Sequence, residues 1–453
     1  MKEPRWWILP EPAEPGSRTL VLNITAVSLF FLLFCLTFLD NSRFPRVVLT
    51  GIPLLAGAWG IWRGWFSAEA VRPFVKPLLA LYAVLLLSSA FSLDPVFSFK
   101  TLANQHLWFP LFFLFVGVWA VTPARQTVLL RGLMVAGGLS AALGIFFYFF
   151  AEQLQDTRWV RRVEYFIFEA LDEDGEKYYR ARGMLWSYTR SALVFVLALP
   201  ATVALGLRSW REARWVELVL AVAVALLAVW FLLLTKSRGV WIGVAVACAL
   251  TWIWMRGTWL VPAIGFVLLA VLLAALPAQR SRAMTFVDHF SDPDLMMSGR
   301  IDLWRQGLTP IRENLLLGVG YGGNIFQARG VVERYPLRKH DREHWAMDPD
   351  DLQSDLHNMY LHTLAEVGLA GALVYAWLLA LLLRAGWRAL RAERAGPRHP
   401  AVIPVYAGLL AFLLIGMVYY FNEEHVGQMM WGMSGVLAAS AAHRKPTNSP
   451  PPE

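Results

Sequence analysis

Charge and cysteine are what this sequence has least of. Only 16% of its 453 residues are charged, against 57% that are hydrophobic, whereas a soluble domain carries about 25% charge. That shortage excludes a string of water-soluble domains and predicts one polytopic membrane domain. The two cysteines, Cys35 and Cys248, both lie in apolar runs, which leaves no support for a disulfide framework or a thiolate metal site. Small buried hydrophobes are the reading that remains for them. Internal repeats are missing too, and the longest polar stretch has no counterpart in the first half. A transporter built from duplicated halves would show such a counterpart. Nor is a cleavable leader indicated, because MKEPRWWILPEPAEPGSR is polar and Pro-rich and no small-residue cleavage site follows the first apolar run.

What is present is a series of apolar runs, each near the roughly 20 residues needed to cross a hydrocarbon core of about 30 Å. They fall at 20–39, 46–64, 75–92, 107–122, 128–150, 191–207, 215–234, 240–255, 258–276, 366–385, 401–420 and 426–442. The expected fold is therefore an all-α polytopic membrane protein of about twelve transmembrane helices. Between spans nine and ten lies a large loop domain, 277–358, and a smaller loop occupies 151–190. Segments 1–19 and 443–453 are the expected cytoplasmic ends, with 20–276 and 359–442 as the membrane portions.

The net charge of +8 fits Lys and Arg retained on the cytoplasmic side better than a nucleic-acid partner, and none is expected. With the N-terminus inside, the inner segments hold Arg125, Arg131, Arg208, Arg211, Arg214, Arg256 and the cluster Arg384 to Arg398. The short outer connections hold only Arg43, Arg46, Lys100, Lys236 and Arg238. Both long loops then face outward, which in a bacterium with two membranes is the periplasm. No ATP or nucleotide sugar reaches that face, so group transfer there needs a donor carrying its own activation, such as a lipid-linked diphosphate. Many of the 21 Trp residues, Trp62, Trp65 and Trp252 among them, stand near span ends as interfacial anchors. Trp186, Trp304 and Trp345 in the outer loops are candidates for stacking on sugar.

Several outward motifs carry chemistry. YYRARGMLWSYTRSA places Arg180, Arg182 and Arg190 outside, against the charge bias, for headgroup contact or anion binding. TKSRGVWIG sets Arg238 before Gly239, where the backbone can turn and present a guanidinium at the lipid boundary. Guanidinium binds phosphate bidentately and stays charged at any working pH; a snorkelling anchor is the alternative. SGRIDLWRQGLTPIREN predicts an amphipathic helix with Arg300 in its first turn and Ile301, Trp304, Leu308 and Ile311 on a face laid against the membrane surface. GVGYGG matches a dinucleotide pattern but lacks the flanking strand and helix, so a tight turn admitting close backbone approach is expected instead.

HDREH, 340–344, has a zinc-peptidase spacing in an irregular context, and Asp348, Asp350, Asp351 and Asp355 read as solvated charges. SDLHNMYLHTLAEVGLAG predicts a helix entering the membrane, with Gly368 or Gly371 permitting a bend. His357 at that boundary can accept a proton from a sugar hydroxyl, or serve as an interfacial hydrogen-bonding group. His362 and Glu366, four apart, are expected to pair structurally.

Four stretches together resemble the bacterial O-antigen ligase and O-antigen polymerase family: ARGMLWSYTRSA, LLLTKSRGVWIG, SGRIDLWRQGLTPIRENLLLGVGYGGN and HNMYLHTLAEVGLAG. They occur in family order over about half the chain. The resemblance implies a metal-independent, cofactor-free membrane glycosyltransferase that moves a glycan from undecaprenyl diphosphate to an acceptor sugar at the periplasmic face of the inner membrane. For ligases the acceptor is the lipid A-core oligosaccharide; for polymerases it is another lipid-linked repeat, and for related oligosaccharyltransferases a protein hydroxyl. A lipid-linked glycan transporter is the competing class.

By motif, the implied catalytic residues are Arg238, Arg300 and His357, and Arg182, Arg190, Tyr321, Asn324 and Asn358 join them as substrate-binding candidates. One departure stands out: Leu356 precedes His357 where some members carry a second histidine, which argues against a relay of two adjacent histidines.

Overall fold

A computed structural model describes residues 43–64, 66–106, 108–154, 167–171, 177–183, 185, 187–256, 258, 300–337, 354–394, 400–420 and 424–442. Among them, seven helices are long and apolar enough to span a membrane: Arg72–Ala90, Pro95–Trp119, Pro123–Phe150, Tyr188–Arg211, Trp215–Thr235, Arg238–Arg256 and Met359–Glu393. Helices Arg43–Trp62 and Glu424–Ala442 stand where two further spans are expected. The expected runs 20–39 and 258–276 lie outside the described residues. The chain is thus a helical, polytopic membrane protein.

Two expectations are corrected. The run 401–420 does not form a full span: its helix, Val402–Ile415, has 14 residues, about 21 Å at 1.5 Å each and short of a hydrocarbon core. The chain turns at 416–418 because the Gly416 carbonyl accepts from Met359 N at 2.7 Å. Nor is the fold wholly helical, since within the loop 151–190, Ile167–Leu171 and Lys177–Ala181 pair as an antiparallel hairpin, β1 and β2. IFEAL and KYYRA are short apolar and aromatic runs flanking an acidic, Gly-containing joint, the pattern of a hairpin rather than a helix.

Packing divides into two apolar clusters. The larger joins the membrane helices around Phe112, Phe113, Trp119, Phe195, Phe231 and Phe412; between lipid-immersed helices, association depends on close van der Waals fit. The smaller unites Leu303, Ile311, Val319, Ile325, Phe326, Val331 and Leu356, giving the polar stretch an apolar heart of its own. There each large side chain taken from water contributes about 1.5–3 kcal/mol.

Helix Arg300–Glu313 forms as expected but in a different phase. Its buried face is Leu303, Gly307, Pro310 and Ile311, while Leu308 is exposed. The stripe is set by a protein neighbour: a Cβ on Gly307 would lie 2.7 Å from Leu356 Cδ1, and Trp304 Nε1 donates to Leu356 O at 3.0 Å.

Helix Met359–Arg394 breaks at Gly368, whose φ is 63° and ψ −168°. A break frees carbonyls before it and amides after it, and at the membrane boundary these need partners. The glycine-rich segment supplies them: Val319 N donates to Ala365 O at 2.8 Å and Gly320 N to Glu366 O at 3.1 Å, while Leu369 N donates to Leu315 O and Ala370 N to Leu316 O. Ser88 Oγ adds a second donor to Glu366 O at 3.0 Å, and Leu93 N and Ser92 Oγ hold Val319 O from the other side. The close approach expected of GVGYGG is made to the chain's own bent helix.

Gly368→Ala should therefore destabilise strongly. It would force a Cβ into φ 63° and within 2.4 Å of the Leu316 backbone, a loss of about 2 kcal/mol or more. Gly51→Ala, in helix Arg43–Trp62 with nothing within 4 Å of the new Cβ, should be neutral or slightly stabilising. Thermal midpoints of the two purified variants check the contrast.

Candidate functional site

The turn from Ser354 to Asn358 is folded by its own polar side chains. Asp355 Oδ1 accepts from His357 N at 2.6 Å and lies 2.5 Å from His357 Nδ1. This closes the turn with His357 at φ 47°, a left-handed conformation uncommon outside glycine and kept only where the surroundings impose it. Leu356 anchors one side in the smaller core. On the other, Asn358 caps the helix: Oδ1 accepts from Tyr360 N and Leu361 N, each at 3.0 Å, while Nδ2 donates to Met417 O at 2.9 Å.

Burial would raise the Asp355 carboxyl, but the charge of His357 beside it, with the two hydrogen bonds from that residue, outweighs burial and pulls it down to about 2. Asp355 is then a carboxylate at any working pH and can only accept. Nδ1 of His357 is consequently the donor, which in a neutral imidazole leaves Nε2 with the free lone pair. The side chains are 37% and 17% exposed for His357 and Asp355, respectively: the imidazole opens outward with its carboxylate behind it.

Arg300 opens its helix and places its guanidinium carbon 5.2 Å from the ring centre of Tyr419. The Tyr419 hydroxyl lies 3.3 Å from Ser237 Oγ, and Gly239 sits against the ring edge, where a Cβ would come within 2.8 Å of Cε2. Arg238, first residue of its helix, is between these two contacts. The segment 416–420 thus touches all three of the elements that carry Arg238, Arg300 and His357.

Arg182 and Arg190 belong to a neighbouring turn. Ser191 Oγ donates to Arg182 O at 2.6 Å, Ser187 Oγ accepts from Arg190 N at 3.3 Å, and helix Tyr188–Leu193 touches helix Arg238–Arg256. Tyr321 is buried in the larger core, and Asn324 is exposed at the start of a short 3-10 turn. The Asn358 amide is committed at both ends to the fold. Of the aromatic candidates, Trp304 is half-buried and bonded to Leu356; Trp186 and Trp345 lie outside the described residues, as do HDREH and Asp348 to Asp351. Among the described residues no group of three or more His, Cys, Asp or Glu is arranged to hold a metal ion.

Sequence reasoning missed Asp355 as the partner of His357, although the D-x-H spacing signalled it. It also missed Tyr419 and Tyr420, which no local pattern marks. Beneath the turn, Glu366 accepts from Gly322 N at 3.1 Å and from the Tyr420 hydroxyl at 3.1 Å. His362 Nε2 stands 3.7 Å from Glu366 Oε1, and the His362 and Tyr420 rings are 4.0 Å apart.

Fold and site together define a multi-pass membrane protein that gathers a carboxylate-oriented imidazole and guanidinium-bearing turns around one short segment. Residues 223–376 match the family model described as O-antigen ligase, about a third of the chain. Over that segment the chain is similar to the O-antigen ligase and polymerase family. The match includes Arg238, Arg300 and His357, and leaves out Arg182, Arg190 and the segment 416–420. No curated protein matches the chain.

The depressed carboxyl carries a linkage. Because the folded value of Asp355 lies below the ordinary one of 3.8, its contribution to stability is full well above that value and is lost as pH falls toward about 2; the shift corresponds to about 2 kcal/mol. Asp355→Asn should lower the denaturation midpoint at pH 7, and the gap from wild type should shrink on acidification. Histidine ¹⁵N spectra should show the His357 proton on Nδ1 in wild type and moved to Nε2 in the variant.

Proposed function

We propose that this chain is an O-antigen ligase of the bacterial inner membrane. In this reading it transfers a glycan, with inversion, from undecaprenyl diphosphate to the lipid A-core oligosaccharide at the periplasmic face. The observation that carries the reading is the partly exposed His357 imidazole, set by Asp355 at a turn tethered to the same segment that holds Arg300 and the Ser237–Gly239 turn.

The acceptor hydroxyl oxygen attacks the anomeric carbon from the side opposite the diphosphate. Its proton passes to His357 Nε2, the carbon–oxygen bond to phosphate breaks, and the electron pair leaves with undecaprenyl diphosphate. Asp355 stabilises the imidazolium that forms, as an orienting carboxylate does elsewhere. Arg238 and Arg300 offset charge growing on the departing diphosphate, so the chemistry proceeds without a metal or other cofactor. Arg182, Arg190 and Asn324 are the further donor or acceptor contacts in this reading, whereas Tyr321, buried in the core, is not.

The outward orientation rests on the same charge bias, now placed on helix ends. The helix ends opposite the site carry the ion pairs of Arg131 with Glu217 and Arg208 with Glu212, the Arg214–Glu217 pair, and Arg211 bonded to Met255 O. Basic residues gathered at that end fit a cytoplasmic surface, which supports reading His357 as facing the periplasm. A ligase is favoured over a polymerase by the single large loop late in the chain.

His357→Ala should reduce transfer by about 10²–10⁴ with donor binding retained, and Asp355→Asn should fall in the same range because it presents the wrong tautomer. Lys at position 238 or 300 should rescue the corresponding Ala variant only in part, and a chelator should leave the rate unchanged. Purified chain with undecaprenyl-diphosphate-linked glycan and lipid A-core checks these outcomes, and normal turnover in His357→Ala would remove the base. Lipopolysaccharide banding of a deletion strain separates the acceptors. Loss of every capped band with lipid-linked polymer accumulating marks a ligase; a single-repeat cap marks a polymerase.

A further inference from the structure

We propose that Tyr419 is the positioning residue that sets the spacing of the two arginines for the diphosphate of a prenyl-linked donor, an inference that rests on the function proposed above. Two cations brought to one diphosphate repel each other, and each long side chain has many rotamers, so something must fix both before the donor arrives. Tyr419 meets both requirements from one ring. Its face takes the Arg300 guanidinium at 5.2 Å; its hydroxyl reaches Ser237 Oγ at 3.3 Å and its edge fills the space left by Gly239. Ser237 and Gly239 flank Arg238, so the ring that carries one arginine also locates the backbone that carries the other.

This accounts for the glycine of the SRG turn in physical terms. Gly239 stands in a helix, where glycine is ordinarily a liability, but a side chain there would displace the Tyr419 ring. It also extends the functional unit beyond the segment matched to the family, which ends at residue 376. The π face holds a cation without neutralising it, which a carboxylate partner would do. The contact restricts where the Arg300 guanidinium stands.

The test is binding of undecaprenyl diphosphate, without sugar, to the full chain in detergent micelles. Tyr419→Phe, which keeps the π face but loses the hydroxyl that reaches Ser237 Oγ, should bind between wild type and Tyr419→Leu. Tyr419→Leu, similar in bulk but without a π face, should bind about three- to thirtyfold more weakly at an unchanged thermal midpoint. In an Arg300→Ala background most of the Leu effect should vanish, since both changes remove the same contact. Gly239→Ala, which pushes the ring from the opposite side, should weaken binding and should add little to Tyr419→Leu. Wild-type binding by Tyr419→Leu, or a loss undiminished in the Arg300→Ala background, overturns the positioning role while leaving the ligase reading in place. Absence of binding by the wild-type chain overturns both.

Discussion

Backbone polarity at the membrane boundary is the constraint from which the site follows. A helix broken at Gly368 leaves carbonyls and amides that lipid cannot satisfy, and each buried orphan costs about 1–3 kcal/mol. The segment 315–320 meets those groups in both directions, with amides of Val319 and Gly320 on one side of the break and carbonyls of Leu315 and Leu316 on the other. Because that segment follows directly from helix Arg300–Glu313, closing the break also fixes where Arg300 emerges. Because the helix before the break begins at Met359, it fixes where His357 emerges as well. The geometry of the proposed site is thus carried by main-chain hydrogen bonds, which tolerate side-chain variation better than a cluster of side chains would.

The second constraint acts from the short helix Val402–Ile415. Ending early, it returns the chain at 416–420 and offers carbonyls to Met359 N and Asn358 Nδ2, and the Leu413 carbonyl to the Tyr360 hydroxyl at 2.6 Å. The same turn carries Tyr419 and Tyr420, one facing the arginine side and one the Glu366 side. Glu366 is buried, so its carboxylate needs donors; Gly322 N and the Tyr420 hydroxyl supply them. A short helix between long ones is therefore not a defect of the bundle. It is what brings a turn beside the residues of the proposed site.

Much of this was legible in residue order, and the part that was not has a common cause. Apolar length marked the helices because a span must satisfy its backbone internally, whatever it packs against. Gly368 was readable as a bend since few other residues permit one. The phase of helix Arg300–Glu313 was misread because its buried stripe answers to Leu356, more than forty positions away, and not to a lipid surface. The extent of 401–420 was misread because hydropathy does not register a carbonyl captured by Met359 N. Asp355 reads as one more solvated acid in a run of them, although its D-x-H spacing to His357 sets it apart. Tyr419 had no local signal at all: its partners are at 237, 239 and 300, and contacts of that sequence separation leave no periodicity.

Such separation bears on how the proposed chemistry is divided. The imidazole and its carboxylate are two residues apart and folded by a local turn, so their relation survives modest movement of the helices. The arginines come from elements separated by some sixty residues, and a ring contributed by a third touches Arg300 and the two residues that flank Arg238. A general base must meet a hydroxyl within a few tenths of an ångström and at a defined tautomer, which suits a self-contained turn. A diphosphate is larger, its charge is spread over several oxygens, and its glycan differs from one donor to the next. Cations carried on separate elements around one ring can adjust to that headgroup while the base stays fixed, and in this arrangement the donor can vary without disturbing the proton transfer.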